Sequence, residues 1–472
     1  MLRRDLILGV AGVVLSPAAA PAEENPFVGP WSGTLLSGAQ ASRLRVELKS
    51  DGMAELIDLD SDGLPAKGRI TSQTSTDVTV EFTVNNPVNP KAAFQGVHVG
   101  NRLEGTWTQG PFKLPLVLRR GDPAGWSDWS IYSTPATPLS RGRLETYRRT
   151  FQTPALAAGV WKDGRTTLWS TGRRRVDAEV PVKDTDQWRI GSISKSMTAT
   201  LVARLVEAGL AQWDNTVGDV LGDAVVTMRP EYRRATYRHL LTHRAGLIED
   251  LPDEVLARFS FDALGPPTER LDYVQQALAA PAVAAVGERF SYSSAGYVVV
   301  AAMLEITVRQ RWEELMRRHV FGPLGLSSAG FGSPGRARAI EEPFGHKLGL
   351  NGYEVVHAGG GLYDIPAVVG PAGGIHVNLT DLLTYLAAHG TRSPFLSIES
   401  WRTLHEAPAG GTYAMGWGVS PTGTLNHGGA TKLWLAQVRI DPRQGVCAAA
   451  ATNVNGAIRA IGRLVQEATI SA

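Results

Sequence analysis

The sequence predicts an α+β domain that is preceded by a small all-β domain. Between residues 26 and 120, apolar and polar residues alternate with a period of two, and turn-forming residues recur at short intervals. From about residue 141, helical patterns alternate with strand-like runs, and strands return near the end of the chain. Strands at both ends, with helices between them, favour a sheet built from the first and last parts of that segment.

Three alternating runs and the turns between them predict the all-β part. The apolar positions are Leu44, Val46 and Leu48, then Val78, Val80, Phe82 and Val84, and finally Leu114, Leu116 and Leu118. Asp51-Gly52 and Asp62-Gly63 are typical turn pairs. We therefore expect an antiparallel sheet, closed or nearly closed, over residues 26–120. Residues 121–140 are rich in Gly, Pro, Ser and Trp and are predicted to form a linker.

The α+β part, residues 141–472, shows a hairpin, a series of helices and a terminal set of strands. The hairpin is predicted to turn at Asp163-Gly164. A helix should run from Ser192 to Ala208 and end at Gly209. Further helical patterns cover residues 236–243, 269–279, 294–307 and 311–320, and strand patterns return over 411–455.

Residues 1–22 are predicted to be a secretory signal peptide. Arg3 and Arg4 precede a short apolar run, and the small residues before position 23 allow cleavage after Ala22. The pair of arginines also resembles a twin-arginine export signal. The alternative is a lone N-terminal membrane anchor, but the apolar run is short for a bilayer span. We expect the mature protein to be periplasmic or extracellular, with no membrane span.

Composition excludes some functions. The formal net charge is +2, and no block of like charges occurs, so the sequence gives no indication of nucleic-acid binding. Cys447 is the single cysteine, so no disulfide can form within the chain. Because Cys447 lies in an apolar run, we expect a buried strand residue rather than a nucleophile.

The strongest chemical signal is the S-x-x-K spacing of Ser192 and Lys195 at the predicted start of a helix. Residues three apart on a helix share a face, so the amine can reach the hydroxyl. A serine hydroxyl needs a base before it can attack, and a Ser–Lys pair is one solution. The first N–H groups of a helix lack internal partners, so the Ser192 N–H can bind an oxyanion. Alone, the spacing also fits an ordinary capped helix start.

Two further segments strengthen this interpretation. Tyr292 is predicted to lie in a loop just before a helix, where its phenol can pass a proton to a leaving group. His427-Gly428-Gly429 opens a predicted strand, and the two glycines allow close approach of a substrate. The N–H of Ala430 is then a candidate second oxyanion donor. Singly, Tyr292 fits a core tyrosine and His427 a turn histidine, but their combination is hard to ascribe to chance.

These segments resemble the serine β-lactamase-like family of class C β-lactamases, DD-peptidases, D-aminopeptidases and esterases. The family motifs S-x-x-K, Y-x-N and K-T-G or H-x-G are matched by Ser192 and Lys195, by Tyr292-Ser293-Ser294, and by His427-Gly428-Gly429. The stretches at 236–247, 320–331, 370–386 and 413–419 match as well. The resemblance covers about residues 150–465. It implies a penicillin-binding-protein-like domain, in which helices and a helical subdomain flank an antiparallel sheet.

Two positions depart from the family pattern. Ser294 stands where the family has asparagine, whose amide helps hold a β-lactam side chain. His427 stands where β-lactamases have lysine, and histidine carries a charge only part of the time near neutral pH. Both departures favour a peptidase or esterase over a true β-lactamase. Some DD-peptidases of the family use histidine here, so penicillin recognition stays open.

Three other features have competing interpretations. His239 and His243 have metal-ligand spacing on a helix, but no third ligand accompanies them, so we expect no metal. The segment 357–361, HAGGG, resembles a lipase oxyanion loop, yet the chain has no G-x-S-x-G elbow. Glu249 and Asp250 fit either a pocket lining or an exposed acidic turn equally well.

The leading functional hypothesis is an exported serine hydrolase that forms an acyl-enzyme on Ser192. Its substrate would be a small molecule or peptide, with a D-amino-acid peptide, an ester, a β-lactam and cell-wall fragments as candidates. The alternative is a catalytically weak or inactive penicillin-binding-like sensor or scaffold, which Ser294 favours. No cofactor is expected. The residues before 121 resemble a small β-domain that precedes several bacterial hydrolases, and they contain no catalytic constellation.

Overall fold

The computed structural model describes residues 25–37, 40–58, 65–84, 90–122, 135–336, 339–349, 352–356 and 364–472. The predicted signal peptide, most of the predicted linker and the segment 357–361 lie outside these described residues. Within the described ranges, no helix combines the length and apolarity that a membrane crossing requires.

The N-terminal strands form a closed antiparallel barrel in which each strand pairs with the next and the last pairs with the first. The strands are β1 Gly29–Ser37, β2 Gln40–Leu48, β3 Met53–Asp58, β4 Ala66–Gln73, β5 Asp77–Thr83, β6 Lys91–Val99, β7 Arg102–Gln109 and β8 Phe112–Arg120. Closure joins Trp31 of β1 to Arg120 of β8. The predicted alternation is confirmed in β5, where Val78, Val80 and Phe82 are buried between more exposed neighbours.

Large apolar side chains fill the interior of the barrel. Trp31, Phe82, Phe94 and Trp107 are each at most 3% exposed. The rings of Phe82 and Trp107 stack with their centres 5.9 Å apart. Small barrels whose inward-facing positions are bulky have packed cores, so this barrel is held together mainly by burial of apolar surface.

The remainder of the chain, Arg141–Ala472, is called the α+β region below. Its strands are β9 Ala155–Lys162, β10 Arg165–Gly172, β11 Gln187–Arg189, β12 Gly330–Phe331, β13 Gly345–Gly349, β14 Gly352–Val356, β15 Ile375–Asn378, β16 Gly418–Val419, β17 Leu425–Ala430, β18 Leu435–Asp441 and β19 Val446–Thr452. The main sheet has the order β10-β9-β19-β18-β17-β16. The sheet is therefore built from the first and last parts of the region, as predicted.

The local geometry of this sheet follows from a few residues. Asp163 and Gly164, both in the left-handed region at φ 49° and 79°, make the β9–β10 hairpin turn. Every residue of β19 is buried, and its small alanines let the two faces pack against separate clusters of apolar residues. Cys447 lies on β19, as predicted, and burial raises the pKa of its thiol to about 12.

Helices cover both faces of the main sheet and build a second layer beside it. They are α1 Arg141–Thr150, α2 Ser194–Glu207, α3 Val217–Leu221, α4 Tyr237–Leu241, α5 Asp253–Leu256, α6 Glu269–Ala279, α7 Ser294–Val308, α8 Trp312–Met316, α9 Gly322–Leu324, α10 Gly370–Gly373, α11 Leu379–Thr391, α12 Ile398–His405 and α13 Ile458–Ile470. The helix predicted over 311–320 is α8 followed by a π-helical turn, Arg317–Phe321.

Helices α2 and α7 form the buried centre of this layer. Most of α2 and the whole stretch Ala295–Leu304 of α7 are buried. The helix predicted to begin at Ser192 begins as a 3₁₀ turn, Gly191–Ile193, and continues directly as α2. Gly191 has φ 50°, and a Cβ there would lie 2.6 Å from the backbone N of Ala430. This close contact tightens the first turn and places it against β17.

Candidate active site

Ser192 is the most exposed residue of an otherwise buried turn. Residues 191–200 are all buried except Ser192, which is half-buried. Ser194, the neighbouring hydroxyl, is fully buried, and its Oγ accepts a hydrogen bond of 3.2 Å from the Ile375 N–H. Ser194 therefore supports the fold, and Ser192 is the hydroxyl that a substrate can reach.

Lys195 lies one helical turn from Ser192 and is fully buried. Its Nζ is 3.2 Å from Ser192 Oγ, 3.2 Å from Ser294 Oγ and 3.0 Å from the carbonyl oxygen of Ala372. These three acceptors fix the end of a flexible side chain from three sides. The amine is thereby held at hydrogen-bond distance from the candidate nucleophile.

Tyr292 lies beside the same amine. Lys195 Nζ is 4.8 Å from the centre of the Tyr292 ring. No hydrogen bond joins the Tyr292 hydroxyl to Ser192 or Lys195. Tyr292 immediately precedes α7, which begins there because Ser293 Oγ caps it by accepting from the Gly296 N–H at 3.0 Å.

The open edge of β17 supplies the candidate oxyanion donor. At the tip of the β17–β18 hairpin, the Thr431 N–H donates to the Trp434 carbonyl at 2.9 Å. Hydrogen-bonding residues alternate along an antiparallel strand, so the backbone groups of Ala430 and Gly428 face away from β18. Gly429 packs on the turn below, where a Cβ would lie 1.9 Å from the Ile190 carbonyl oxygen and 3.0 Å from Ser192 N.

Gly428 differs from Gly429 in its surroundings. A Cβ on Gly428 would meet nothing within 4 Å. Gly429 is therefore required for backbone packing, whereas Gly428 faces open space. The close packing of Gly429 on the turn brings strand β17 next to the backbone of Ser192, which keeps the N–H groups of Ser192 and Ala430 as candidate oxyanion donors.

His427 is buried and neutral in this structure. Its Nδ1 lies 2.6 Å from the Gly428 carbonyl oxygen, and its Nε2 lies 2.9 Å from the Tyr413 hydroxyl. Burial, helped by the charge of Lys195, lowers the pKa of His427 to about 4. The sequence-based expectation of a partial charge near neutral pH is therefore wrong, because it assumed a solvated imidazole. In the neutral ring, Nδ1–H donates to the Gly428 carbonyl and Nε2 accepts from Tyr413.

Ser294 contacts the candidate base directly. Although shorter than asparagine, its hydroxyl lies 3.2 Å from Lys195 Nζ. Of the two acidic residues named above, Glu249 is exposed and its carbonyl oxygen accepts from the Ser294 N–H at 2.7 Å. Asp250 accepts from the Tyr273 hydroxyl at 2.5 Å, and burial raises the pKa of its carboxyl.

Sequence reasoning missed two features of the site. One is Tyr413, and the other is the set of contacts that His243 makes. His243 is buried, with its ring centre 4.3 Å from that of Tyr292 and 4.8 Å from that of Tyr413. His239, its partner in metal-ligand spacing, instead closes the capping box of α4 with Thr236. Among the described residues, no group of three or more His, Cys, Asp or Glu side chains could hold a metal ion.

Comparison with known proteins identifies the family of the chain. A family model described as Beta-lactamase matches residues 142–467. The chain is 28% identical over 344 residues to penicillin-binding protein 4 of Amycolatopsis lactamdurans, which covers 66% of this chain and 84% of that protein.

Solved structures share the fold. A class C beta-lactamase from Rhodobacter sphaeroides superposes with a TM-score of 0.57 at 21% identity, covering 70% of this chain and 97% of that one. A D-amino acid amidase from Ochrobactrum anthropi SV3, complexed with L-phenylalanine amide, gives a TM-score of 0.56 at 18% identity, covering 69% and 96%. Because the family model spans most of the α+β region and includes Ser192, Lys195, Tyr292 and His427, the chain belongs to the beta-lactamase family, whose relatives include hydrolases.

Proposed function

We propose that this protein is a serine hydrolase that transfers an acyl group from an amide or ester to Ser192 and then to water. The observation that carries this proposal is the 3.2 Å separation of Ser192 Oγ and Lys195 Nζ, on a turn that packs closely against Gly429 and Ala430 of β17. Nucleophile, base and oxyanion donors in one place are the parts that acyl transfer requires.

The roles follow from the contacts. Lys195, as the neutral amine, accepts the Ser192 proton while Oγ attacks the substrate carbonyl carbon. The N–H groups of Ser192 and Ala430 hold the oxyanion that develops. When the bond to the leaving group breaks, the Tyr292 phenol donates its proton to the leaving atom and regains one from Lys195. Water then cleaves the acyl-enzyme and restores Ser192.

A peptidase or esterase fits the site better than a β-lactamase. The lysine of β-lactamases is a fixed cation that attracts the β-lactam carboxylate, whereas His427 is buried, and its pKa of about 4 leaves it neutral. Ser294 also lacks the amide that holds the β-lactam side chain. The contact of Ser294 with Lys195 favours an active enzyme over the alternative, an inactive sensor.

The test is labelling of the purified protein with a fluorescent fluorophosphonate and a fluorescent penicillin, side by side. We expect the fluorophosphonate to label strongly and the penicillin weakly. Ser192→Ala should abolish labelling and turnover while the fold persists. Ser194→Ala is the matched control and should keep its label. Labelling of Ser192→Ala at the wild-type level would refute the proposal, and equal labelling by both probes would refute the preference against β-lactams.

The proposal includes export to the periplasm or the extracellular space, which rests on the character of residues 1–22 alone. Cell fractionation followed by N-terminal sequencing tests it. We expect the exported protein to begin at Glu23. A cytoplasmic protein with an intact N-terminus would contradict this part of the proposal and leave the chemistry untouched.

A further inference from the structure

We propose that His243 is a positioning residue that aligns Tyr292 for proton transfer to the leaving group. This inference rests on the proposed function, since Tyr292 is the proton donor there. His243 touches none of the reacting atoms in the proposed mechanism. Its effect would pass through the backbone and the ring of Tyr292.

Two hydrogen bonds connect His243 to the residues on either side of Tyr292. The Ser291 N–H donates to the His243 carbonyl oxygen at 2.8 Å, and the Ser293 N–H donates to His243 Nδ1 at 3.0 Å. The backbone before and after Tyr292 is therefore anchored to a single residue. With both flanking amides fixed, the Cα–Cβ direction of Tyr292 is fixed as well.

The side chain of His243 supports the ring of Tyr292 directly. The two ring centres are 4.3 Å apart, with an angle of 39° between the planes. On its other sides, the His243 ring packs against two tyrosine rings, with its centre 5.4 Å from that of Tyr297 and 4.8 Å from that of Tyr413. Tyr413 in turn bonds to His427, so the support for Tyr292 is continuous with strand β17.

The backbone of His243 indicates that this placement comes at a conformational cost. His243 has φ 57°, a left-handed conformation that is uncommon for residues other than glycine, and the residue is 1% exposed. Strained conformations of this kind persist where the surroundings determine them and often occur at active sites. Here the strain turns the carbonyl and the ring of one residue toward the same short segment.

The ring must remain neutral for this arrangement to hold. Nδ1 accepts a hydrogen bond, so it cannot carry a proton. Burial, with a smaller contribution from the charge of Lys195, lowers the pKa of His243 well below its usual value. The acceptor is thus available throughout the neutral range.

The experiment compares His243→Leu with His243→Asn. Leucine removes the acceptor, whereas the asparagine carbonyl oxygen occupies nearly the position of Nδ1 and asparagine tolerates positive φ. The readout is kcat/KM for a series of substituted phenyl acetates, plotted against the pKa of the leaving phenol. An enzyme that protonates its leaving group shows a shallow slope, and one that does not shows a steep slope.

We expect His243→Leu to lose about 10- to 100-fold for the most basic leaving group and only a few-fold for para-nitrophenyl acetate, because a misaligned Tyr292 forfeits part of the roughly 10²- to 10⁴-fold that general acid catalysis contributes. His243→Asn should recover most of the loss. His239→Leu, on helix α4 just before His243, is the matched control, and it should lower stability without changing the slope. Equal losses across the whole series in His243→Leu would overturn the inference.

Hydrogen exchange of residues 290–294 gives a readout that does not depend on turnover. We expect faster exchange there in His243→Leu than in wild type or His239→Leu, and unchanged exchange would also overturn the inference. The two proposals fail separately. If Ser192→Ala retains hydrolysis, the proposed function fails. If Ser192→Ala is inactive while wild type and His243→Leu share one slope, only the role of His243 fails.

Discussion

The barrel and the α+β region bury different kinds of side chain. The barrel core is almost entirely apolar, and residues 26–120 contain one histidine, His98. The α+β region buries Lys195 beside Ser192, together with several neutral histidines. The barrel is a scaffold that local alternation can build, whereas tertiary packing in the α+β region buries histidines and thereby lowers their pKa values. The chemistry and the sensitivity to pH should therefore both lie in the α+β region.

The largest expected effect is selective acid unfolding of the α+β region. Burial lowers the pKa of His346, His376 and His427 to about 4 and that of His405 to about 3. Between the unfolded value of 6.5 and these folded values, the unfolded chain binds more protons, so stability falls as pH falls. Each shift to about 4 is worth up to ~3 kcal/mol below pH 4. Hydrogen exchange at successive pH values should show the α+β region opening first.

The matched variants for this experiment are His376→Gln and His98→Gln. His376 Nδ1 lies 2.9 Å from the Gly332 carbonyl oxygen, and glutamine replaces the imidazole with a polar side chain that takes up no proton. His376→Gln should therefore move the transition to lower pH, and His98→Gln should leave it in place. A barrel that loses protection at a higher pH than the α+β region would contradict the comparison.

The next largest effect is expected from two glycine substitutions, one in each part of the molecule. They should separate a loss of catalytic rate from a loss of stability. A Cβ at Gly429 would lie 1.9 Å from the Ile190 carbonyl oxygen, and one at Gly105 in the barrel would lie 2.1 Å from the Gln95 carbonyl oxygen. Gly429→Ala should lower kcat/KM by about 100-fold or more, because it displaces the oxyanion donors. Gly105→Ala should cost roughly 1–3 kcal/mol of barrel stability through overpacking and leave kcat/KM unchanged.

Gly428→Ala is the internal control for Gly429→Ala. Its added methyl group points into open space, so stability should not change. Rates and thermal unfolding should be measured on all three variants. A Gly105→Ala protein with a large loss of kcat/KM would show that the barrel takes part in the reaction.

Sequence patterns predicted most of the fold and the contact between Ser192 and Lys195 in the candidate site. Alternation predicted the strands of the barrel, and the spacing of Ser192 and Lys195 predicted their contact, because both relations are local. Tyr413 and the positioning contacts of His243 were missed because they join segments far apart in the chain, and no local spacing encodes them. The charge of His427 was predicted wrongly for the same reason, since its burial depends on Tyr413 and on the packing around β17.

A smaller effect should distinguish a neutral from a charged His427. Because its pKa is about 4, His427 should not titrate between pH 5.5 and 8, and its ionisation should cause no rise or fall of kcat/KM in that range. His427→Gln, which can keep a hydrogen bond to Tyr413, should lose no more than about tenfold in kcat/KM and keep the profile shape. His427→Lys should gain penicillin labelling relative to fluorophosphonate labelling. A limb near pH 6.5 that disappears in His427→Gln would show that the imidazole titrates in the working range.

The smallest expected effect follows from separating the barrel from the α+β region. Arg43 of β2 donates to the Phe151 carbonyl and lies 5.7 Å from the centre of the Tyr353 ring on β14, so the two parts do touch. None of the groups assigned to the reaction comes from the barrel, however. Limited proteolysis should cut first within 121–140, the predicted linker, and the cut protein should keep its kcat/KM within about twofold.

Arg43→Gln sharpens this last prediction. If Arg43 holds the two parts together, the variant should release the cut barrel faster on gel filtration, since it loses the guanidinium that bonds to the Phe151 carbonyl and lies over the Tyr353 ring. Its kcat/KM before cutting should equal that of wild type. A first cut inside 192–210, or a loss of activity that follows release of the barrel, would mean that the barrel supports the active site. In that case the barrel would support the active site through the β13–β14 hairpin, which contains Tyr353. This hairpin packs closely on the turn that follows Ala430, since a Cβ on Gly345 would lie 2.7 Å from Leu433 Cβ.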